Sequence, residues 1–148
     1  LYCLVEQYSE KLLKDIYQIT FSKEKSAIEK VRGFIGATII SSERISVEGT
    51  ELQKTVDLEE NRYIIDKLSH KLIKKLTIYF EKIIRQGIEE RSFLVQSPLE
   101  TAEFLMTAYV FVSNNMNMKY SDKESLDNYL SAYKIILERT LSAKNLFD

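Results

Sequence analysis

From Asp57 to Glu90 the chain keeps to a single period. Ile65, Leu68, Leu72, Leu76, Phe80 and Ile83 follow one another at steps of three and four, and Gly87 falls on the same stripe. That spacing lines them along one face of an α-helix. Asp57-Leu58-Glu59-Glu60 reads as a capping box, an Asx cap with a glutamate three residues on. The pattern predicts one helix over about 58–90, about 50 Å long at ~1.5 Å per residue. A face that long has to be covered by other parts of the chain. The opposite face carries Lys67, Lys71, Lys74, Lys75 and Lys82, as a solvated side does.

Helical periodicity continues on both sides. Leu1, Leu4, Val5, Tyr8, Leu12, Ile16 and Ile19 predict a first helix to about Thr20, followed by a polar break at Ser22-Lys23-Glu24-Lys25. Ile28, Val31, Ile35 and Ile39 predict a second. Its Gly33 and Gly36 weaken it but admit close approach by another helix or a ligand. In 41–57, Ile45, Val47, Leu52 and Val56 suggest a short helix with loops around Gly49. Ser97-Pro98-Leu99-Glu100 combines an N-cap, a first-turn proline and a box glutamate. The helix it opens, about 98–117, is apolar round most of its circumference. Leu105, Tyr109, Val112 and Met116 form one arc, flanked by Met106, Val110 and Ser113 on one side and by Phe104, Ala108 and Phe111 on the other. Such a helix needs neighbours on several sides, and a second copy of the chain is one of them. Ser121-Asp122-Lys123-Glu124 caps a last helix carrying Leu126, Tyr129, Leu130, Tyr133, Ile136, Leu137 and Leu141. With only four glycines and one proline in 148 residues, the chain has too few breakers for an all-β fold. The fold class is all-α, a bundle of five to six helices in one domain spanning 1–148.

Catalytic chemistry has little to build on. His70 is the only histidine and sits among lysines, and Cys3 is the only cysteine, so zinc would lack ligands and no internal disulfide can form. Lys67 stands where a Glu-x-x-His di-iron motif would need glutamate. Gly33-Phe34-Ile35-Gly36 lies within a helical pattern rather than after a strand, so it is no phosphate loop. No enzyme activity, cofactor or metal is expected. A net charge of -1 gives no electrostatic drive toward nucleic acid. The least charged run, 104–118, is shorter than the roughly 20 residues a membrane span needs. Aromatic residues are the excess, with nine Tyr and seven Phe. Tyr8, Tyr17, Tyr79, Tyr109 and Tyr133 fall on inward stripes, which suits an apolar interior with a few polar handles.

"IIRQGIEERSFLVQSPLETAEFLMTAYVF" resembles the C-terminal regulatory region of TetR-family transcriptional repressors. In that family a long helix ends in I-x-x-G-x-x-x-G-x-F, then comes a loop with a proline and a helix opening with acidic and small residues. The matching positions here are Ile84, Gly87, Phe93, Pro98, Glu100, Thr101, Ala102 and Phe104. "LYCLVEQYSEKLLKDI" is similar to the helix linking the family's DNA-binding head to its regulatory part. Arg91 departs from the pattern's second glycine, so the helix is expected to end a residue or two away from the family position and spare arginine a left-handed conformation. Gly87 is expected to allow close helix contact. The resemblance implies a cytoplasmic, ligand-sensing, homodimerising domain, with residues 1–20 leading from a helix-turn-helix head that is not in this sequence and through which alone DNA would be bound. A cavity is expected between the first, second and long helices and the Pro98-headed helix, walled by Tyr17, Phe34, Tyr79, Ile83, Met106, Tyr109 and Ser113, whose apolar or weakly polar side chains suit a small apolar or aromatic effector. The resemblance implies a dimer face using Phe104, Leu105, Ala108, Val112, Leu126, Tyr129, Leu130, Tyr133 and Leu137. A helical interaction module with a self-filled interior and no ligand remains the alternative.

Overall fold

The computed structural model describes residues 2–44, 62–116 and 123–148. Among them are five helices and no strand: α1 (Tyr2–Thr20), α2 (Ala27–Arg44), α3 (Arg62–Glu89), α4 (Pro98–Met116) and α5 (Lys123–Leu141). The all-α bundle expected from the periodicity is present. The caps expected at Asp57 and Ser121, and the rest of the segment after Arg44, lie outside the described residues. α3 is the central helix and packs against α1, α2 and α4. Its lysine face is exposed, His70 included.

One core runs through the bundle. It takes Leu12 and Ile16 from α1, Val31, Phe34 and Ile35 from α2, and Leu76, Phe80, Ile83 and Ile84 from α3. Ala102, Leu105, Met106 and Val110 join from α4, Leu137 and Leu141 from α5, and Ala143 and Leu146 from the tail. Each fully buried Leu, Ile or Phe contributes about 1.5–3 kcal/mol over leaving it in water, so this cluster dominates the stability.

The end of α3 corrects two expectations. Ser92 N–H donates to the Gly87 carbonyl (2.8 Å) and Arg91 N–H to the Ile88 carbonyl (3.1 Å). These are the two bonds of a Schellman motif with Arg91 at the left-handed position. Arg91 does take that conformation, with φ of 62°, rather than shifting the helix end to avoid it. The turn brings the Phe93 ring back onto Gly87, where a Cβ would collide with it. Gly87 therefore makes room for Phe93, not for a neighbouring helix. α5 ends the same way, with Ala143 N–H on the Glu138 carbonyl (2.9 Å), Ser142 N–H on the Arg139 carbonyl (3.3 Å) and Ser142 at φ 57°. The two ends are joined: Leu94 N–H donates to the Leu141 carbonyl (3.1 Å) and Ser142 Oγ donates to the Leu94 carbonyl (3.3 Å).

Polar side chains close the other junctions. α2 opens on a capping box that the sequence analysis did not register, although Ser26-x-x-Glu29 has its form. Glu29 N–H donates to Ser26 Oγ (3.2 Å), and Ser26 Oγ and N–H both donate to Glu29 Oε1 (3.1 and 3.4 Å). The buried Lys30 donates from Nζ to the Thr20 carbonyl (2.8 Å) and to Gln86 Oε1 (2.6 Å). Gln86 Nε2 donates to Glu90 Oε1 (2.6 Å) and to the Lys25 carbonyl (3.0 Å), and Ala27 N–H donates to Glu90 Oε2 (3.0 Å). This clasp ties the end of α1, the start of α2 and the end of α3 together. On the other side of α2, the Arg32 guanidinium donates to the carbonyls of Asn145, Leu146 and Asp148 and holds the tail down.

Candidate effector site and dimer face

The residues expected to line a pocket fall into three environments. Phe34, Ile83 and Met106 are fully buried in the core, with Phe34 packed edge-on against Phe80. Tyr17 does not join them, and Tyr79 is half-buried, packed against the edge of the core. Tyr17 is 52% exposed and forms an outer cluster with Phe21 and Tyr79, at centroid distances of 4.6 and 6.1 Å. Lys82 Nζ lies 5.4 Å from the centre of the Phe21 ring. The inward placement of Tyr17 is thereby corrected: Phe21, one turn on, stacks with it on the surface. Tyr109 and Ser113 form the third group, half-buried on the inner side of α4.

Around Tyr109 the interior becomes polar. Its hydroxyl donates to Thr38 Oγ1 (2.9 Å), which donates to the Ile35 carbonyl (2.8 Å). Tyr133 stacks against Tyr109 at 5.0 Å and donates to the Leu105 carbonyl (2.7 Å). Burial pushes both phenols above their ordinary pKa, opposed at Tyr109 by the Thr38 bond, so both stay neutral donors. Thr77, on α3, is buried with no hydrogen-bond partner for its hydroxyl among the described residues. Sequence reading passed over Thr38 and Thr77, although a threonine on an apolar flank is a visible signal. No group of three or more His, Cys, Asp or Glu side chains that could hold a metal occurs among the described residues.

The dimer-face residues divide as well. Phe104 is 79% exposed, and Ala108, Val112 and Tyr129 are also exposed. Leu105 and Leu137 are instead buried within the subunit's own core, and Leu130 and Tyr133 are half-buried against it. Leu105 and Leu137 thus have no surface left for a partner, which corrects their assignment. The side chain of Leu126 lies outside the described residues. Phe111, at 67% exposure, and Ile135 and Ile136 extend the exposed apolar surface beyond the residues anticipated. A one-position rotation of each helix separates the two sets, finer than a stripe count resolves. Among the described residues no helix is long and apolar enough to cross a membrane.

The described residues form an all-helical bundle with a cluster of hydroxyls around Tyr109 and bare apolar faces on α4 and α5. The tetracyclin repressor-like C-terminal domain family matches residues 44–136, and the chain belongs to it. That family is regulatory and non-enzymatic. No curated protein matches the chain.

Proposed function

We propose that this chain is the effector-sensing and homodimerising part of a TetR-type transcriptional repressor acting in the cytoplasm. The observation that carries the reading is the bare apolar surface of α4 and α5, Phe104 and Phe111 above all, on a chain of this family. Paired with its copy, that surface forms the dimer. α1 leads from a helix-turn-helix head ahead of Leu1, and a small apolar or aromatic effector inside the bundle biases the arrangement of α1. The effector acts only through its differential affinity for two arrangements. Sedimentation equilibrium is expected to give a dimer at micromolar concentration, and a stable monomer overturns the reading. With a net charge of -1, residues 1–148 are expected not to bind duplex DNA selectively. Tight, sequence-selective retardation of DNA by residues 1–148 counts against it.

A second reading, a dimerising module without ligand, is favoured by the complete burial of Phe34, Ile83 and Met106. Met106→Trp separates the two. An interior able to open for a ligand takes the larger ring with little loss of melting temperature. A permanently filled one loses about 1–3 kcal/mol from overpacking.

A further inference from the structure

α3 carries four exposed lysines, Lys67, Lys71, Lys74 and Lys75. Their spacing puts them within one arc of the helix, over about 12 Å of its length at ~1.5 Å per residue. No acidic residue occurs from Lys67 to Phe80. None of the four has an ion-pair partner among the described residues. Like charges at i,i+4 destabilise a helix, and Lys67 with Lys71, and Lys71 with Lys75, stand at that spacing. Further along, the same helix uses the favourable alternative, with Arg85 Nε on Glu81 Oε1 at 3.0 Å. A face that is only solvated gains nothing from excluding acids over such a run, in a chain whose net charge is -1. A counter-charge from outside the chain gives the run a use.

The chemistry of the face selects among polyanions. Between Lys67 and Lys75 no apolar side chain is exposed: Leu68 is buried, and Leu72 and Ile73 are half-buried against the core. Tyr63 and Ile78 are exposed beyond its two ends, about 22 Å apart along the helix. A protein interface is built round an apolar or aromatic centre in which lysine is depleted. A membrane surface takes up basic residues together with apolar ones that insert beside them. A phosphate backbone asks only for positive charge. About 12 Å of duplex axis carries roughly seven phosphate charges at ~1.7 Å each, enough to engage all four lysines at once.

We propose that this face of α3 binds the phosphate backbone of duplex DNA without regard to sequence. This rests on the reading that a DNA-binding head leads into α1, and it extends the contact of that head onto the regulatory part. α1 and α3 pack against one another, and one atom holds both of their ends: Lys30 Nζ donates to the Thr20 carbonyl and to the Gln86 side chain. From that clasp the two helices run back in the same direction, α1 toward the head and α3 toward Lys75, Lys74, Lys71 and Lys67. Four lysines alone bind weakly and read no bases, in keeping with the absence of selective binding expected of residues 1–148. Held near DNA by the head, they lengthen its footprint by contacts to flanking phosphates.

The test titrates residues 1–148 into two short labelled duplexes of unrelated sequence, followed by fluorescence anisotropy over a series of low salt concentrations. The wild type is expected to bind both duplexes alike, with log K falling against log salt at a slope of roughly -4 for four phosphates. The variant K67Q/K71Q/K74Q/K75Q is expected to bind roughly tenfold more weakly, with a flattened slope, and to keep its melting temperature. A control, K23Q/K25Q/R139Q/K144Q, removes the same charge from exposed positions elsewhere and is expected to bind as the wild type does. Equal weakening by both variants assigns the effect to net charge and overturns the proposal. Binding to phosphatidylglycerol vesicles but not to the duplexes overturns it in favour of a membrane surface. Sedimentation of the same samples separates the two readings. A dimer that binds neither duplex overturns the phosphate contact alone, and a monomer that binds neither overturns the regulatory reading with it.

Discussion

Gly87 and Phe93 occupy one another's space by design of the turn between them. The ring lies where the β-carbon of any other residue would stand, and Phe93 is buried, so it has nowhere to yield. Gly87→Ala is expected to cost about 1–3 kcal/mol, read as a fall in melting temperature with helix content retained. The gain of about 1 kcal/mol that alanine brings to an exposed helix would appear instead if the ring moved freely. Arg91 gives the opposite sign. It sits exposed in a left-handed conformation, so Arg91→Gly is expected to stabilise by about 1 kcal/mol. No change on denaturant titration would show that arginine carries no strain there. The periodic stripe made Gly87 visible as a packing residue, but its partner lies past the end of the helix, where periodicity no longer speaks. Local propensity argued for moving the turn away from Arg91. The placement of Phe93 on Gly87 fixes the turn where it is, and tertiary packing outweighs roughly 1 kcal/mol of backbone strain.

Helices were the most legible level, because each has an apolar face repeating at its own period. The junctions were not legible. Lys30, Gln86 and Glu90 look in sequence like ordinary surface positions, and only the fold brings them together across more than fifty residues. Their clasp predicts a signature in pH. Burial holds the Lys30 amine below its ordinary pKa, outweighing the attraction of Glu90. The unfolded chain then keeps this proton over a range where the folded chain has lost it. The contribution of Lys30 to stability therefore rises as pH climbs from the lowered value to the ordinary lysine range. Glu90 works at the other end. The Ala27 N–H, and after it the Gln86 amide, hold its carboxyl below the ordinary range. Its contribution is complete above that range and is lost as pH falls through the lowered value. Denaturant titrations over a series of pH values are expected to show both limbs. Lys30→Met flattens the alkaline one and Glu90→Gln the acid one. Limbs that persist in these variants assign the effect to other groups.

At the scale of the whole molecule the apolar surface of α4 and α5 is the feature a single subunit leaves unexplained. The family likeness pointed to dimerisation from the sequence, while the division between core and exposed face needed the fold. Tyr133 pins α5 to α4 at the Leu105 carbonyl, and Ala108 and Val112 emerge on that side of α4 in the following turns. Phe104 and Phe111 continue the surface round α4, and Tyr129 and Ile136 carry it onto α5. An obligate interface typically buries about 2,000 Å² or more in total, so these two helices are expected to be covered along most of their length. Charges placed there have to be desolvated without a partner, which is unfavourable enough to break the association. Phe104→Glu combined with Ile136→Glu is therefore expected to sediment as a monomer while keeping its helical circular dichroism. The same substitutions test the linkage between association and stability. On the proposed dimer, the melting temperature of the wild type is expected to rise with protein concentration, because mass action favours the associated state. The double variant is expected to lose that dependence and to melt at or below the wild-type value found at the greatest dilution. A wild type whose melting temperature ignores concentration, and whose double variant sediments identically, would leave the apolar surface to some other partner.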